Sequence, residues 1–234
     1  LRAEITPAPV EPPAPSAAAR RVRALVKADE GSELARLLDI RIPDLVDYQD
    51  EAYARGYAEF VERVRRASSA EVAEAVARNL YKLMAYKDEY EVARLSLDER
   101  LQADIEAQFG PGSRYAFRLH PPVLRALGMN RKISLGPWFR QVFRLLRAMR
   151  KVRGTRLDLF GYAKVRRVER ELVEQYRAVI ERAVAADHPA LLELAELPDV
   201  IRGYEEIKLA NVETYRAKQS ELLKSPAPER VVAV

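Results

Sequence analysis

The sequence predicts an all-α protein, a multi-helix bundle with a minor β-hairpin insertion. Apolar residues recur every three or four positions along most of the chain, which is the spacing of amphipathic helices. Ser, Gly and Pro residues separate these periodic segments, and a single short region alternates as strands do. The 234 residues are 48% hydrophobic and 32% charged, a balance typical of a globular protein with a sizeable core.

Three helices are predicted before residue 96. Gly31 and Ser69 mark breaks between periodic segments, and Pro43 suits the first turn of a helix because its missing N–H is not needed there. Gly56 lies inside the second of these helices, where it suggests close contact with another helix. The predicted helices cover residues 32–38, about 42–66 and about 70–95.

The third predicted helix contains the run Lys87-Asp88-Glu89, which could be mistaken for part of an active site. At about 100° per residue, Lys87 and Arg94 share the apolar stripe of this helix, whereas Asp88 and Glu89 point to other sides. The three neighbours are therefore not expected to form one catalytic cluster. Because a charged side chain in a buried stripe must reach water or meet an opposite charge, we predict that Lys87 and Arg94 form structural ion pairs with carboxylates of a neighbouring helix.

The second half of the chain is predicted to hold the hairpin and the remaining helices. The run Gly110-Pro111-Gly112-Ser113 is a strong turn signal, and the alternating residues 114–119 favour a strand paired with residues 132–135. Glycines and prolines divide the rest of the chain into helical segments. The predicted helices cover residues 97–109, 138–152, 162–186, a shorter segment between Pro189 and Pro198, and 203–223.

The two ends of the chain are expected to differ from its centre. Residues 1–30 combine a Pro/Ala-rich linker with a leading helical segment, because repeated prolines favour extended backbone. Residues 31–223 form the helical domain, and residues 224–234 form a flexible tail. Since the first residue is Leu and the chain opens like a linker, we expect it to be a piece of a longer protein.

Several kinds of chemistry are excluded by the residue inventory. The chain has no cysteine, so it offers no disulfide, thiolate nucleophile or iron–sulfur ligand, and this composition fits a reducing cytoplasm. His120 and His188 both precede proline, where a turn role is expected rather than catalysis. No phosphate-binding glycine loop or nucleophile elbow occurs, and no apolar run approaches the ~20 residues that span a bilayer. We therefore assign no catalytic, cofactor-binding or metal-binding residue.

The positive charge of the chain is concentrated in residues 131–170, where only Asp158 and Glu169 oppose thirteen Lys and Arg residues that include Arg153 and Arg166. The predicted helix over 138–152 shows this most clearly, because one side is apolar and the other basic. Arginines one turn apart can hold successive negative charges, so the basic side is a candidate contact for an acidic partner or for phosphate. A solvated face or an inter-domain salt-bridge layer is the alternative. The candidate residues are Arg140, Arg144, Arg147 and Lys151.

Five stretches of the chain resemble, in the same order, the C-terminal region of the fused indolepyruvate ferredoxin oxidoreductases. The resemblance extends over about residues 37–218. The stretches are RLLDIRIPDLVDYQDEAYARGY, VARNLYKLMAYKDEYEVARL, FGPGSRYAFRLHPP, LGPWFRQVFRLLRAMRKVRGTRLDLFGY and LPDVIRGYEEIKLANVETYR.

This resemblance implies a part in a 2-oxoacid:ferredoxin oxidoreductase. Such an enzyme decarboxylates aryl pyruvates on thiamine diphosphate, transfers the acyl group to coenzyme A and passes electrons through iron–sulfur clusters to ferredoxin. Thiamine diphosphate, Mg and the [4Fe-4S] clusters are implied for the rest of the enzyme, upstream of this region. The implied partners are its other domains or subunits, with ferredoxin as a further candidate.

Two functions are carried forward from the sequence. The first is a non-catalytic C-terminal helical domain of such an enzyme, serving packing, assembly or partner docking in the cytoplasm. The alternative is a stand-alone basic helical module that binds nucleic acid or an acidic protein, with Trp138 and Tyr162 available for stacking on bases. Nucleic acid is the less favoured of these partners, and no membrane is expected.

Overall fold

The computed structural model describes residues 14–112, 116–119, 133–203 and 205–224. Ten α-helices and one pair of short strands form in these residues, which confirms the predicted all-α bundle. The helices are α1 (Ala17–Arg23), α2 (Glu33–Tyr48), α3 (Glu51–Ala67), α4 (Ala70–Met84), α5 (Glu89–Ser96), α6 (Glu99–Phe109), α7 (Arg140–Ala148), α8 (Lys164–Ala185), α9 (Leu191–Glu196) and α10 (Glu205–Leu222).

The strand pair lies between α6 and α7. Strand β1 (Phe117–Leu119) pairs antiparallel with β2 (Ile133–Leu135), and Phe117 is opposite Leu135. Both strands lie within the predicted ranges. The intervening residues 120–132, and with them His120, Arg131 and Lys132, lie outside the described residues.

Side-chain caps determine where several helices begin. Ser16, Ser32, Asp50 and Ser69 stand just before α1, α2, α3 and α4, and each side-chain oxygen accepts a backbone N–H from the third residue after it. Such a bond satisfies a donor that the first helical turn would otherwise leave unpaired. Asp88 caps α5 in the same way.

Two predicted helix boundaries were wrong for reasons that involve these caps. Pro43 lies inside α2, where it removes one hydrogen bond to the carbonyl of the exposed residue Asp39, and the chain breaks instead at Asp50. The predicted helix over 70–95 ends at Met84, and α5 starts separately after the Asp88 cap.

The main core is formed by α1–α4, α8, α9 and residues of α10. Buried polar groups in this core are paired across helices: the Tyr57 hydroxyl donates to the carbonyl of Ala77 at 2.8 Å, and the Tyr176 hydroxyl donates to that of Ala195 at 2.8 Å. Ala19 and Val22 of α1, which the sequence analysis groups with the leading segment, are buried in this same core.

A second, smaller core joins α5 to α7. Ala93, Leu97 and Phe143 are buried together, and Phe139 and Leu146 pack against them. The predicted apolar side of the basic helix thus faces α5. The predicted helix over 138–152 consists of α7 with a short 3-10 turn at each end, Pro137–Phe139 and Met149–Val152. None of the helices in the described ranges combines the length and apolar character that crossing a membrane requires.

Candidate functional site

Arg153 lies at the centre of a buried cluster of charged and tyrosine side chains. It ends the 3-10 turn that follows α7, and only 5% of its surface is exposed. Its Nε and Nη2 donate to the two carboxylate oxygens of Asp88 at 2.6 and 2.8 Å, and its Nη1 donates to the carbonyl of Tyr48 at 2.5 Å. The guanidinium also lies over the Tyr48 ring, 3.7 Å from its centroid. One side chain therefore connects the end of α7, the start of α5 and the end of α2.

Arg153 stays positively charged despite its burial. Burial lowers the pKa of Arg153, but the hydrogen bonds to Asp88 and the neighbouring charges raise it by more, so the net pKa is raised. Burial also raises the pKa of Tyr48 well above its ordinary value, with the charge of Asp88 adding to this effect. Tyr48 therefore remains a neutral donor, and its hydroxyl donates to the carbonyl of Tyr86 at 3.0 Å.

Asp88 carries out two structural tasks at once. Its Oδ1 accepts the backbone N–H of Glu91 at 2.8 Å and so starts α5, while both of its oxygens accept from Arg153. The sequence pattern does not predict this role, because its periodicity favours a continuous helix through Asp88. An acidic residue followed three positions later by Glu is typical of a helix start, and the pair Asp88 and Glu91 is the signal that could have indicated the break.

Asp158 is a second buried carboxylate, and it is bonded to Tyr90, two residues after Asp88. Its Oδ1 accepts from the Tyr90 hydroxyl at 3.0 Å and from the Gly161 N–H at 3.0 Å, and its Oδ2 accepts the Gly154 N–H at 2.8 Å. Arg170 approaches from α8, with its Nη1 3.8 Å from Oδ2. Burial and the charge of Asp158 raise the pKa of Tyr90, so this tyrosine is a permanent donor at neutral pH.

Arg94 contacts carboxylates on two helices. Its Nη2 donates to Asp44 of α2 at 2.8 Å and to Glu91 of α5 at 2.7 Å, and its Nε donates to Glu91 at 2.8 Å. This is the inter-helix ion pair that the sequence analysis expects of Arg94. The expectation for Lys87 was wrong, because Lys87 lies in the linker between α4 and α5 and is exposed rather than set in an apolar stripe.

Further ion pairs connect α8 to its neighbours. Arg166 donates to Glu169 one turn later at 2.7 Å, and its Nη2 lies 3.6 Å from Oε2 of Glu89 on α5. Glu169 also accepts from Lys208 of α10. Burial raises the pKa of Glu89, an effect that the positive charge of Arg166 opposes. Two arginines of the basic region, Arg153 and Arg166, thus point inward and hold helices together.

The candidate basic residues lie on α7 and on the 3-10 turn that follows it. Arg144, Arg147 and Lys151 are exposed, whereas Arg140 is half-buried. Arg144 donates to the side chain of Gln141 at 3.1 Å, one turn earlier on the same surface. The structure therefore separates the basic region into buried arginines that join helices and surface cations that face solvent.

Two surface cavities of the described residues lie apart from this cluster. A cavity of about 680 Å³ lies at the end of the bundle near Ser68, Ser69 and His188. Ser68 donates to the Val64 carbonyl at 2.8 Å, and Ser69 caps α4. The His188 Nδ1 accepts the backbone N–H of Ala190 at 3.2 Å, which is the turn role that the sequence predicts for this histidine.

The cluster around Arg153 is best described as a joint, because its side chains bind one another and the backbone. Within the described ranges, no group of three or more His, Asp or Glu side chains is arranged to hold a metal ion. Neither the curated proteins nor the solved structures gave a match to this chain. The sequence model of DUF6537, a family of unknown function, matches residues 34–221, and this chain therefore belongs to that family.

Proposed function

We propose that this chain is a non-catalytic helical domain of an indolepyruvate ferredoxin oxidoreductase-like enzyme, in which it holds parts of the enzyme together or docks a partner. One observation carries the proposal. The sequence stretches that resemble that family supply the residues of the joint and of its flanking ion pairs. Four of the five stretches contribute residues to it. The first supplies Asp44 and Tyr48, the second Asp88, Tyr90 and Arg94, the fourth Arg153 and Asp158, and the fifth Lys208.

This overlap supports a structural role for the shared pattern. The polar residues of these stretches meet between helices, where fully paired buried groups fix one arrangement of the chain. Arg153 uses three of its donors in this way, and Asp158 accepts three hydrogen bonds. Packing inside this domain thus accounts for the shared residues of these stretches. The surface of the domain remains for contacts with other parts of an enzyme.

The cofactors of such an enzyme would be held outside this chain. Iron–sulfur clusters are ligated by cysteine thiolates, and the sequence has no cysteine. The residues present do not fit that group, so electron transfer belongs to other domains or subunits. A cytoplasmic location and a place beside those domains are part of the same proposal.

Purification of the native complex tests this function. A tag placed on this chain at its natural locus should bring down coenzyme A-dependent oxidation of indolepyruvate, measured by reduction of a viologen dye. Thiamine and iron should co-purify in a fixed ratio to the chain. A tagged protein that purifies without this activity and without iron would contradict the proposal.

A nucleic-acid-binding module is the second candidate, and the exposed cations of α7 favour it. Arg144, Arg147 and Lys151 lie near Trp138 in the sequence, and a cationic surface with an aromatic side chain is typical of single-strand binding. Fluorescence anisotropy with labelled RNA and DNA at low salt tests it. Affinity that falls steeply with salt would support this module, and no binding at low salt would remove it.

A further inference from the structure

The loop of residues 153–163, between the turn after α7 and the start of α8, exposes large apolar side chains. Leu157 is 72% exposed, Leu159 70% and Tyr162 64%. An apolar side chain exposed singly needs no explanation, whereas several exposed together mark contact sites for other molecules. The contacts of the loop show which of these side chains lie together.

The inner side of the loop is bound to the helical domain. The buried Asp158 carboxylate accepts from the Tyr90 hydroxyl of α5 and from two N–H groups of the loop itself. The Phe160 ring packs edge-on against Tyr90, with ring centroids 5.3 Å apart, and Arg170 of α8 donates to the carbonyl of Gly161 at 2.6 Å. These contacts leave the other side of the loop facing solvent.

One hydrogen bond brings two of the exposed side chains together. The Tyr162 hydroxyl donates to the carbonyl of Arg156 at 2.9 Å, and this carbonyl belongs to the peptide bond that leads into Leu157. By backbone bond lengths, the Tyr162 hydroxyl therefore lies within about 7 Å of the Leu157 Cα. A turn also closes the chain here, since the Asp158 N–H donates to the Thr155 carbonyl at 3.2 Å. We define the three joined residues Arg156, Leu157 and Tyr162 as the loop cluster.

The charge around the loop cluster is positive. Arg156 is exposed, and the exposed Lys164 follows two residues after Tyr162 at the start of α8. Neither cation pairs with a carboxylate in the described part of the chain. Residues 151–168 contain one carboxylate, Asp158, whose side chain is 4% exposed and already accepts three hydrogen bonds. Charges act over a screening length of about 8 Å at physiological salt, so a partner of the loop cluster should be acidic.

We propose that the loop cluster is an apolar anchor that docks this domain on an acidic surface of a partner protein. Leu157 and Tyr162 supply the apolar contact, and Arg156 supplies the charge that selects the partner. Because hydrogen bonds already fix the backbone of the loop, little conformational freedom is lost on binding. This inference rests on the proposed docking role and specifies the surface that carries it.

A protein suits the loop cluster better than nucleic acid or a membrane does. An aliphatic side chain such as Leu157 gains little against a phosphate backbone. Leu157 and Tyr162 together offer fewer carbon atoms than one myristoyl chain, which alone holds a protein on a bilayer only marginally. A protein surface can supply an apolar recess and acidic groups at the same place.

Labelled probes added to the full chain test the inference by fluorescence anisotropy. The first probe is a helical peptide of Glu and Leu with Leu on one face, the second replaces each Leu by Gln, and the third is a single-stranded oligonucleotide of equal charge. We expect the Glu/Leu peptide to bind at least about tenfold more tightly than the other two, since apolar burial adds to the charge attraction. Vesicles of equal parts phosphatidylcholine and phosphatidylserine should not sediment with the chain.

Variants of the loop cluster should separate the two contributions. Leu157→Ser should weaken binding of the Glu/Leu peptide by about tenfold and leave the Glu/Gln peptide unchanged, whereas Arg156→Glu should weaken both. Matched controls elsewhere are Ile40→Ser, which removes an apolar side chain that is 58% exposed, and Arg66→Glu, which makes the same change in charge on the exposed surface of α3. The controls should stay within about twofold of the wild type.

Four results would overturn the inference. They are equal binding of the two peptides, tighter binding of the oligonucleotide, sedimentation with vesicles that Leu157→Ser abolishes, and equal loss in the control variants. Circular dichroism and thermal unfolding of every variant show whether it remains folded. The co-purification of oxidoreductase activity is measured on the unaltered chain, so failure here and failure of the proposed function are separate outcomes.

Discussion

Arg153 and Asp88, 65 positions apart in the sequence, form an ion pair with two hydrogen bonds in which the side chains are only 2% and 3% exposed. The same arginine donates to the backbone of Tyr48 at the end of α2. The pair therefore connects the turn after α7 to the main bundle. Buried charges of this kind are costly to separate from their partners, which makes the joint suitable for testing by substitution.

Asp88→Asn should destabilise the protein strongly. Asn keeps the cap on α5 but leaves the Arg153 cation buried without its counter-charge, at a cost of about 3 kcal/mol in the free energy of unfolding. Urea denaturation measures this cost. The double variant Asp88→Asn/Arg153→Met should lose less than the sum of the two single variants, because it removes both charges. Additive losses, or a single loss below about 1 kcal/mol, would show that the pair is not coupled as described.

Arg94→Met and Lys87→Met should differ in their effects. Arg94 pairs with Asp44 and Glu91, and its loss leaves both carboxylates without this counter-charge, at a cost of about 2 kcal/mol in the free energy of unfolding. Lys87 is exposed in the linker, so its substitution should change that energy by less than about 0.5 kcal/mol. Denaturant curves of the two variants measured side by side give the comparison. Equal losses would mean that Lys87 has a structural role after all.

Glu89→Gln should stabilise the protein at neutral pH. Burial and the nearby charges of Asp88 and Asp158 raise the pKa of Glu89, while Arg166 lowers it. A carboxyl group with a raised pKa in the folded state stabilises that state when protonated, and this contribution is lost as the pH rises from the ordinary value of 4.5 through the folded-state pKa. Gln stays neutral, so the melting temperature of the Glu89→Gln protein should exceed that of the wild type at neutral pH.

The difference between Glu89→Gln and the wild type should shrink as the pH falls below the ordinary carboxyl range. Glu174→Gln is the matched control, because Glu174 is on the surface of α8 with a side chain that is 75% exposed. A lower melting temperature for Glu89→Gln at neutral pH would indicate that the ion pair with Arg166 outweighs the cost of burial.

Gly161→Ala should destabilise the joint, whereas Gly56→Ala should not. A Cβ at Gly161 would collide with the carboxylate of Asp158 and lie 2.9 Å from Nη1 of Arg170, so we expect a loss of about 2 kcal/mol in the free energy of unfolding. The nearest atom to a Cβ at Gly56 would be Nη2 of Arg177 at 3.9 Å, so Ala there should gain about 0.5 kcal/mol from helix propensity. Denaturant unfolding distinguishes the two, and a harmless Gly161→Ala would contradict the close packing of Asp158.

Much of the fold could be predicted from the sequence because local signals and packing agree there. The periodic apolar residues of α4 and α8 and the cap residues Ser32 and Ser69 act over one or two turns, where sequence spacing gives the geometry directly. Pro43 misled the boundary of α2, since a proline signal permits a helix start without requiring one. The room around Gly56 likewise shows that this glycine does not mark a close helix contact.

The joint could not be predicted, because its partners are far apart in the chain. Arg153 looked like one more cation of a basic surface, and Asp88 looked like a residue inside a helix. Only the packing of α5 against α2 and the turn after α7 brings them together. An error of a few residues in the helix boundary was enough to place Lys87 on the buried side instead of Asp88.

Hydrogen exchange of the Arg153→Met variant tests most directly the central claim, that a buried joint holds the α7 segment in place. The joint and the small core around Phe143 are the contacts that fix this segment, so their weakening should open it without unfolding the bundle. We predict that exchange accelerates more in residues 140–162 than in α4 and α8, where protection should fall only by the loss of global stability, and that the surface control Arg144→Met shows no such difference. Unchanged exchange of residues 140–162 in Arg153→Met, or equal acceleration throughout the chain, would contradict the claim.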